Sequence, residues 1–550
     1  MGKKIKLATL LLSLSLLTLF AFNNPSERFF EIAKNLDIFA TLFKEVNTFY
    51  VDEVNPNHLM ETGIEAMLAS LDPYTNYIPE DDIEDFRTMT TGQYGGIGAL
   101  VGQRNGRNLV LMPYKGFSAY SSGLQIGDEI LKIDGIDLKD KPSTNVSKLL
   151  KGQANTDLTL SIKRFGQEKP MDFSLKRENI TIGNVPYSGL VNEEVGYIKL
   201  TDFTSGASKE VKEALVKLKS QGAKKIILDL RDNPGGLLNE AVNISNLFVS
   251  KGSEIVSTKG KMVDWNKSYK ALNSPVDTEI PIAVLTSSRS ASASEIVAGV
   301  IQDYDRGVLV GQKTFGKGLV QATRPLTYNS QLKVTTAKYY TPSGRCIQAI
   351  DYSHRNDDGS VGKVPDSLKV AFKTTNGRVV YDGGGVDPDF TVDKGLLAPI
   401  AVSLIQNGLI FDFANMYKFQ NSTIKAARQF RLSDQEYAKF VSWLSDKDYD
   451  YTTKVEKTID DLIANAKNEK YYEDISAQIQ SLKTRVAHNK ETDLQKFKKE
   501  IKEILESEIV TRYYLQEGMI EASFDHDLDV QEALRVLKSK EQYNKVLSRN

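Results

Sequence analysis

Between residues 26 and 89, apolar side chains recur every three or four positions: Phe29, Ile32, Leu36, Phe39 and Phe43, then Leu59, Ile64, Met67, Leu68 and Leu71. That spacing lines one face of a helix and predicts a small helical segment over residues 26–91. Asp72-Pro73-Tyr74 interrupts it, because the residue before a proline is pushed out of the helical region. A further helix is expected over residues 79–87. Beyond residue 92 the apolar runs shorten. Residues 99–101, 108–111 and 158–164 read as strands, with a helix between them at 143–150.

From 179 to about 392, strands alternate with helices. Residues 195–200, 225–230 and 282–285 form apolar strand-like runs, and 209–221, 241–248 and 295–302 carry helical periodicity. Alternation of this kind argues for an α/β core whose strands are buried on both faces, with catalytic groups on the connecting loops. Past residue 397 the chain becomes tyrosine-rich and then lysine/glutamate-rich, with helical patterning at 455–466 and 492–514. No catalytic constellation stands out there, and its charges fit solvated helix faces.

Composition narrows the classes of function. With 550 residues and 41% hydrophobic content, the chain is too long for one core and should form several domains. A net charge of -1, from 70 basic and 71 acidic residues, gives no field to attract nucleic acid. Lys3, Lys4 and Lys6 precede an uncharged, mostly apolar run over residues 7–22, which reads as a cleaved export signal or a retained membrane anchor. Either form places the bulk of the chain outside the cytoplasm, in the periplasm or cell envelope. Cys346 is the single cysteine, so no intrachain disulfide can form. No His/Cys/carboxylate cluster has metal-ligand spacing, and no cofactor is expected.

Two stretches carry candidate chemistry. Residues 290–295 read Ser-Ala-Ser-Ala-Ser-Glu, and Phe315-Gly316-Lys317-Gly318 follows. A hydroxyl becomes a good nucleophile when a base removes its proton, and a lysine amine does so near neutral pH only when burial lowers its pKa. Ser292 follows the strand 282–285 and begins a helix, so the N–H of Ala293 should lack an internal acceptor. The plain alternative is that Ser292-Ala293-Ser294-Glu295 is a capping box. Spacing alone does not choose among Ser290, Ser292 and Ser294. Gln321 lies four residues beyond Lys317, and an even spacing along a strand puts both on one face. Asp229-Leu230-Arg231-Asp232-Asn233-Pro234-Gly235-Gly236 ends a strand in a sharp turn whose glycine N–H groups suit an oxyanion hole, or mark only a strand-to-helix corner. Asp303, eleven residues after Ser292, either holds the site together or simply ends its helix. The four histidines, His58, His354, His488 and His526, lie outside these motifs, which favours a lysine base.

Tyr94-Gly95-Gly96-Ile97-Gly98, joined to Gly123-Leu124-Gln125-Ile126-Gly127-Asp128-Glu129-Ile130 and the runs around it, resembles a PDZ domain over residues 92–177. That likeness implies that Gly95, Gly96, Ile97 and Gly98 present N–H groups to a chain-terminal carboxylate while the peptide adds as a strand. Taken together, the ordered motifs resemble the carboxy-terminal processing, or tail-specific, proteases of the serine–lysine peptidase class. The likeness runs from about Phe39 to Val392 and includes Thr335-Thr336-Ala337-Lys338-Tyr339-Tyr340-Thr341-Pro342-Ser343-Gly344-Arg345. It implies that Ser292 is the nucleophile, Lys317 the general base and Gln321 the residue positioning the lysine. Ala293 and a glycine of the Gly235-Gly236 turn would form the oxyanion hole, with Asp303 in support. Arg289 stands where many relatives have glycine.

The expected fold is thus a multidomain α/β chain: a signal or anchor at 1–22, a helical segment at 26–91, a PDZ-like β-rich domain at 92–177, an α/β serine-peptidase core at 178–396 and a mostly helical extension at 397–550. The expected activity is endoproteolysis of proteins bound by their C-terminal tails, with the extension serving a homo-oligomer or an adaptor. The competing expectation is a PDZ scaffold with an inactive core.

Overall fold

The computed structural model describes residues 25–548, apart from Asp140, Asp357, Lys394 and residues 487–489. The signal-like run at 1–22 and His488 lie outside the described residues. Among the described residues, no helix is long and apolar enough to cross a membrane. The chain divides into two compact units, one ending at Tyr77 and one beginning at Ile78.

The first unit carries two helices, Pro25–Phe49 and Pro56–Ala69. Asn55 caps the second, its side chain accepting from the N–H groups of Asn57 and His58. After that helix the Asp72 carboxylate accepts from Tyr74 N, Thr75 N and Thr75 Oγ1, closing the turn at Pro73.

The second unit opens with a helix at Ile83–Thr91, four residues later than the periodicity predicts. A single 3-10 turn at Glu80–Asp82 delays its start, and Gly92 at φ +70° stops it in the left-handed cap that glycine adopts without strain. A β-rich body follows. Its sheet orders strands Ala99–Arg104, Arg107–Pro113, Glu129–Ile133, Asp157–Lys163 and Met171–Lys176, all antiparallel. Val110, Ile130, Leu158, Leu160 and Ile162 bury one face under Val146 of the helix Ser143–Leu150. Ala99–Arg104 is an edge strand, paired on one side only.

The larger sheet positions the chemistry. Its strands run in the order Tyr187–Leu190, Val195–Lys199, Lys225–Asp229, Ile282–Thr286, Val308–Gly311 and Phe390–Thr391, with the first pair antiparallel and the rest parallel. Successive side chains on a strand point to opposite faces, and here both faces are dry. Ile226, Leu228, Ile282 and Val284 pack under the helices Ala207–Ser220, Leu238–Asn246 and Ala293–Asp303. Ile227, Ala283, Leu285, Val308 and Val310 point the other way, against Phe524, Val530, Ala533, Val536, Leu537 and Tyr543. Full burial of each such aliphatic or aromatic side chain stabilises by about 1.5–3 kcal/mol. Tyr543 adds a hydrogen bond at the sheet, accepting from Ile282 N at 3.0 Å.

The stretch from 397 onward is therefore not one separate appendage. Its helices Pro399–Gln406, Leu409–Gln420, Asp434–Trp443 and Lys498–Ser523 gather around Phe413, Tyr437, Phe440 and Leu505, whereas Leu528–Lys538 and Tyr543 complete the central sheet. Arg107 of the β-rich body also reaches Asp412 of this stretch at 2.9 Å.

Candidate active site

Strand Ile282–Thr286 is wholly buried and emerges into a turn that leads to helix Ala293–Asp303. Two of the three serines at this corner are already engaged. Ser290 and Ser294 are 0% exposed, and their hydroxyls donate to Leu230 O at 2.8 Å and Asn233 O at 3.0 Å. Ser292 is the partly exposed one. Its backbone sits at φ +55°, ψ −112°, outside the extended region that an ordinary N-cap residue occupies. Holding a non-glycine residue there costs about 1–3 kcal/mol, a strain the surrounding bonds must enforce.

Those bonds come from the neighbouring strand end. Asn233, fully buried, donates from Nδ2 to Leu200 O at 2.9 Å and accepts at its carbonyl from Ala291 N at 3.0 Å. Its Oδ1 takes the Gly235 N–H at 2.9 Å. Gly235, at φ +98°, presses against the serine turn: a Cβ there would lie 2.7 Å from Ala291 O, 2.8 Å from Ala293 N and 2.9 Å from Ser292 Cβ. Among the described residues, the N–H groups of Gly236 and Ala293 meet no protein acceptor. Gly235 has given its own N–H to Asn233, so Gly236 is the glycine of the pair with a donor to offer.

Glu295 joins the serine turn to the lysine turn. It lies in the first turn of a helix buried along its whole length, and its carboxylate collects four donors. Oε2 accepts from Ser292 N at 2.8 Å and from Lys317 N at 2.9 Å; Oε1 accepts from Thr314 Oγ1 at 2.6 Å and Gly316 N at 2.7 Å. One carboxylate oxygen thus touches the backbone of both Ser292 and Lys317. Sequence reading saw Glu295 only as the far half of a capping box, and the Ser292 N–H bond does form that half. The signal in the sequence is a carboxylate directly before the apolar run Ile296–Ile301, which burial obliges to find partners.

Burial raises the Glu295 carboxyl from 4.5 to about 7, against the lowering effect of its four donors. The unfolded chain releases this proton near 4.5, so between that pH and about 7 the folded protein holds a proton that the unfolded chain has lost. Stability from this group is present below 4.5 and is lost as pH rises through about 7. Melting temperatures recorded across that window should fall more steeply for the parent than for Glu295→Gln, which cannot titrate; parallel curves would contradict the shift.

Lys317 is half-buried in the Gly316-Lys317-Gly318 turn. Gly318 N donates to Gln348 Oε1 at 2.7 Å and Phe315 N to Ser290 O at 3.0 Å, so the turn is held on both sides of the lysine. The strand begins only at Leu319, so the two-residue period expected to align Lys317 with Gln321 does not extend back to the lysine. Gln321 Nε2 donates to Thr335 Oγ1 at 3.1 Å, beside a register shift in the hairpin with Gln331–Tyr340.

Asp303 ends the same helix that Ser292 begins, roughly 16 Å away at 1.5 Å per residue. It pairs with Arg345 Nη2 at 2.8 Å, both side chains 1% exposed, and accepts from Ser343 N at 3.0 Å. Its support reaches the serine through the helix, not by contact. Asp303→Ala leaves a buried guanidinium with one fewer anion and should destabilise the fold by about 3–5 kcal/mol. A lower urea midpoint with an unchanged slope would register this; an unchanged midpoint would deny it.

Gly95 and Gly96 lie in a strand, Gln93–Gly96, that pairs with Glu178–Thr181. Ile97 is buried, and Gly98 at φ +72° has no room for a Cβ, which would fall 2.3 Å from Phe117 Cβ. Among the described residues, the N–H groups of Ile97 and Gly98 meet no protein acceptor, and the edge strand Ala99–Arg104 starts directly after them.

Comparison with known proteins bears on the same segments. The profile of peptidase family S41 matches residues 194–353, and that of the probable PDZ-protease C-terminal helical domain matches residues 400–537. A carboxy-terminal-processing protease of Bartonella bacilliformis is 38% identical over 332 residues, covering 60% of this chain and 75% of its own. A probable CtpA-like serine protease of Staphylococcus aureus is 38% identical over 316 residues, covering 57% of this chain and 62% of its own. Among solved structures, the photosystem II D1 C-terminal processing protease is 26% identical, covers 66% of this chain and 93% of its own, and superimposes with a TM-score of 0.35. With the 38% identical Bartonella relative matched over three quarters of its length, the chain belongs to peptidase family S41, among the carboxy-terminal-processing serine proteases.

Proposed function

We propose that the protein cleaves other proteins, recognised by their C-terminal tails, through a serine–lysine acyl-enzyme mechanism. Ser292 Oγ attacks the scissile carbonyl carbon while Lys317 Nζ takes its proton. The carbonyl oxygen becomes an oxyanion beside the N–H groups of Ala293 and Gly236, and donors placed where charge develops lower the barrier. Collapse of the tetrahedral species breaks the C–N bond, and the leaving amine takes the proton from Lys317. Water, deprotonated in turn by the lysine, then releases the acyl group from Ser292. Gln321 orients the lysine in this scheme. Glu295 supports the pairing most directly, since one of its oxygens binds the backbone of the serine and of the lysine.

Tail recognition falls to the β-rich segment at 92–177, read as a PDZ domain. Two neighbouring N–H groups without acceptors, at Ile97 and Gly98, suit a terminal carboxylate, and the edge strand after them suits an added peptide strand. The lysine-led apolar run at 7–22 supports export to the periplasm or cell envelope, with the run cleaved or kept as an anchor.

The test is digestion of a model protein with an apolar C-terminal tail, presented once with a free terminal carboxylate and once as the amide. The parent should cleave the free-tail form with the lower KM, and Ser292→Ala should cleave neither. Equal KM for the two forms would remove the tail-recognition step, and cleavage by Ser292→Ala at the parent rate would remove the nucleophile.

A further inference from the structure

The turn that carries Gly235 and Gly236 is anchored at its entry by residues from far along the chain. Arg231, four positions before Gly235, has a side chain only 10% exposed. Its Nε and Nη2 donate to the two oxygens of Asp229 at 2.9 and 2.6 Å. Its Nη1 donates to both oxygens of Asp527 and to Asp529 Oδ2, each at 2.8 Å. Asp229 and Asp529 are fully buried, and Tyr197 Oη closes the cluster on Asp229 Oδ2 at 2.5 Å. Lys199 Nζ holds the Arg231 carbonyl at 2.9 Å.

Asp527 and Asp529 open the helix Leu528–Lys538. Asp527 is its N-cap, accepting from Asp529 N and Val530 N. The helix is locked to the sheet by Val530, Ala533, Val536 and Leu537, so its two carboxylates are fixed points. Asp229 satisfies one side of the guanidinium. The Nη1 side would be left buried without acceptors if the other two were lost, a state that favours movement of the side chain towards water. Such movement pulls on the backbone of residues 231–233 against the bonds that Lys199 Nζ and Asp229 Oδ1 make to the Arg231 carbonyl and N–H, and Asn233 is the residue that holds Gly235 N.

We propose that Asp527 and Asp529 are positioning residues for acyl transfer: through Arg231 they hold the turn that sets the Gly236 N–H beside that of Ala293. This rests on Ser292 being the nucleophile. It gives the helix after Ser523 a part in catalysis without contact with substrate, since a displacement of about 1 Å at an oxyanion donor can lower a rate by roughly 100-fold.

The test uses the full chain carrying Asp527→Asn, Asp529→Asn or both, with the parent and Ser292→Ala in the same peptide assay. Asparagine caps a helix as well as aspartate, so Asp527→Asn removes the charge and leaves the helix start intact. The double variant should keep its helical circular dichroism and a KM within about twofold of the parent, while kcat falls by roughly tenfold or more. Affinity for a peptide boronate that mimics the tetrahedral intermediate should fall in step with kcat, and Asp527→Glu should keep most of the parent rate. A folded double variant with the parent kcat overturns the proposal, as does a raised KM at unchanged kcat. Should the double variant fail to fold, Asp527→Asn alone, at a partly exposed position, decides by the same split. Activity surviving in Ser292→Ala would instead strike the underlying nucleophile assignment.

Discussion

Lys317→Ala should lower kcat by roughly 10²–10⁴-fold while leaving tail binding almost unchanged, and Lys317→Arg should not restore the rate. A base must be able to give up its own proton before it can accept one from serine, and a guanidinium remains charged at every accessible pH. The backbone at residue 317 is fixed independently of its side chain, because Glu295 and Gln348 hold the N–H groups of Lys317 and Gly318. Truncation to alanine therefore removes the amine without releasing the turn, and a loss of rate reports on chemistry. Rapid-quench measurement of the acylation step is the appropriate reading, with the melting temperature as control. A folded Lys317→Ala enzyme that acylates at the parent rate would eliminate the lysine as base.

Gly235→Ala should lower kcat by roughly 10²-fold or more, although it adds only a methyl group. The new Cβ would sit under 3 Å from Ala291 O, Ala293 N and Ser292 Cβ. Two of these three are backbone atoms of the serine turn, so no flexible side chain can swing aside. The left-handed φ of +98° adds strain of its own. The serine corner and the glycine turn must move apart, and the displacement separates Ser292, the proposed nucleophile, from the Gly236 N–H proposed to receive the oxyanion. If the tail binds at the edge strand as proposed, KM should stay near the parent value. Parent-like kcat in Gly235→Ala would show that the close approach has no catalytic use.

Periodicity located most of the core. The strand expected at 225–230 spans Lys225–Asp229, the helix at 209–221 spans Ala207–Ser220, and that at 295–302 spans Ala293–Asp303. These elements are long and amphipathic or wholly apolar, and their ends shift by a residue or two where caps decide. What periodicity could not show was which elements meet. Strand Ile282–Thr286 is apolar over its first four positions and buried at all five, which announces two buried faces but not the helices that cover them. One cover comes from residues 524–547, beyond any local pattern. The serine could not be chosen either, because Ser290, Ser292 and Ser294 differ only in tertiary bonds: two hydroxyls are tied to carbonyls of the 229–236 loop. Strand parity does not reach from Gln321 to Lys317, because the strand starts at Leu319 and a turn carries the lysine. Glu295 was legible only as a cap, since a carboxylate serving two distant turns leaves no trace in spacing.

The cover over the second sheet face also imposes an order on biosynthesis. Chains are made from the N-terminus, and Ile227, Leu285 and Val310 are synthesised long before Phe524, Val530 and Tyr543 exist to shield them. Until then one whole side of the central sheet stays open to water, and Arg231 lacks two of its three carboxylates. A ribosome-bound or truncated chain can thus contain the serine and lysine turns without the support that packs them. On the role proposed for Asp527 and Asp529, a chain cut before Phe524 should hold both turns and yet cleave nothing.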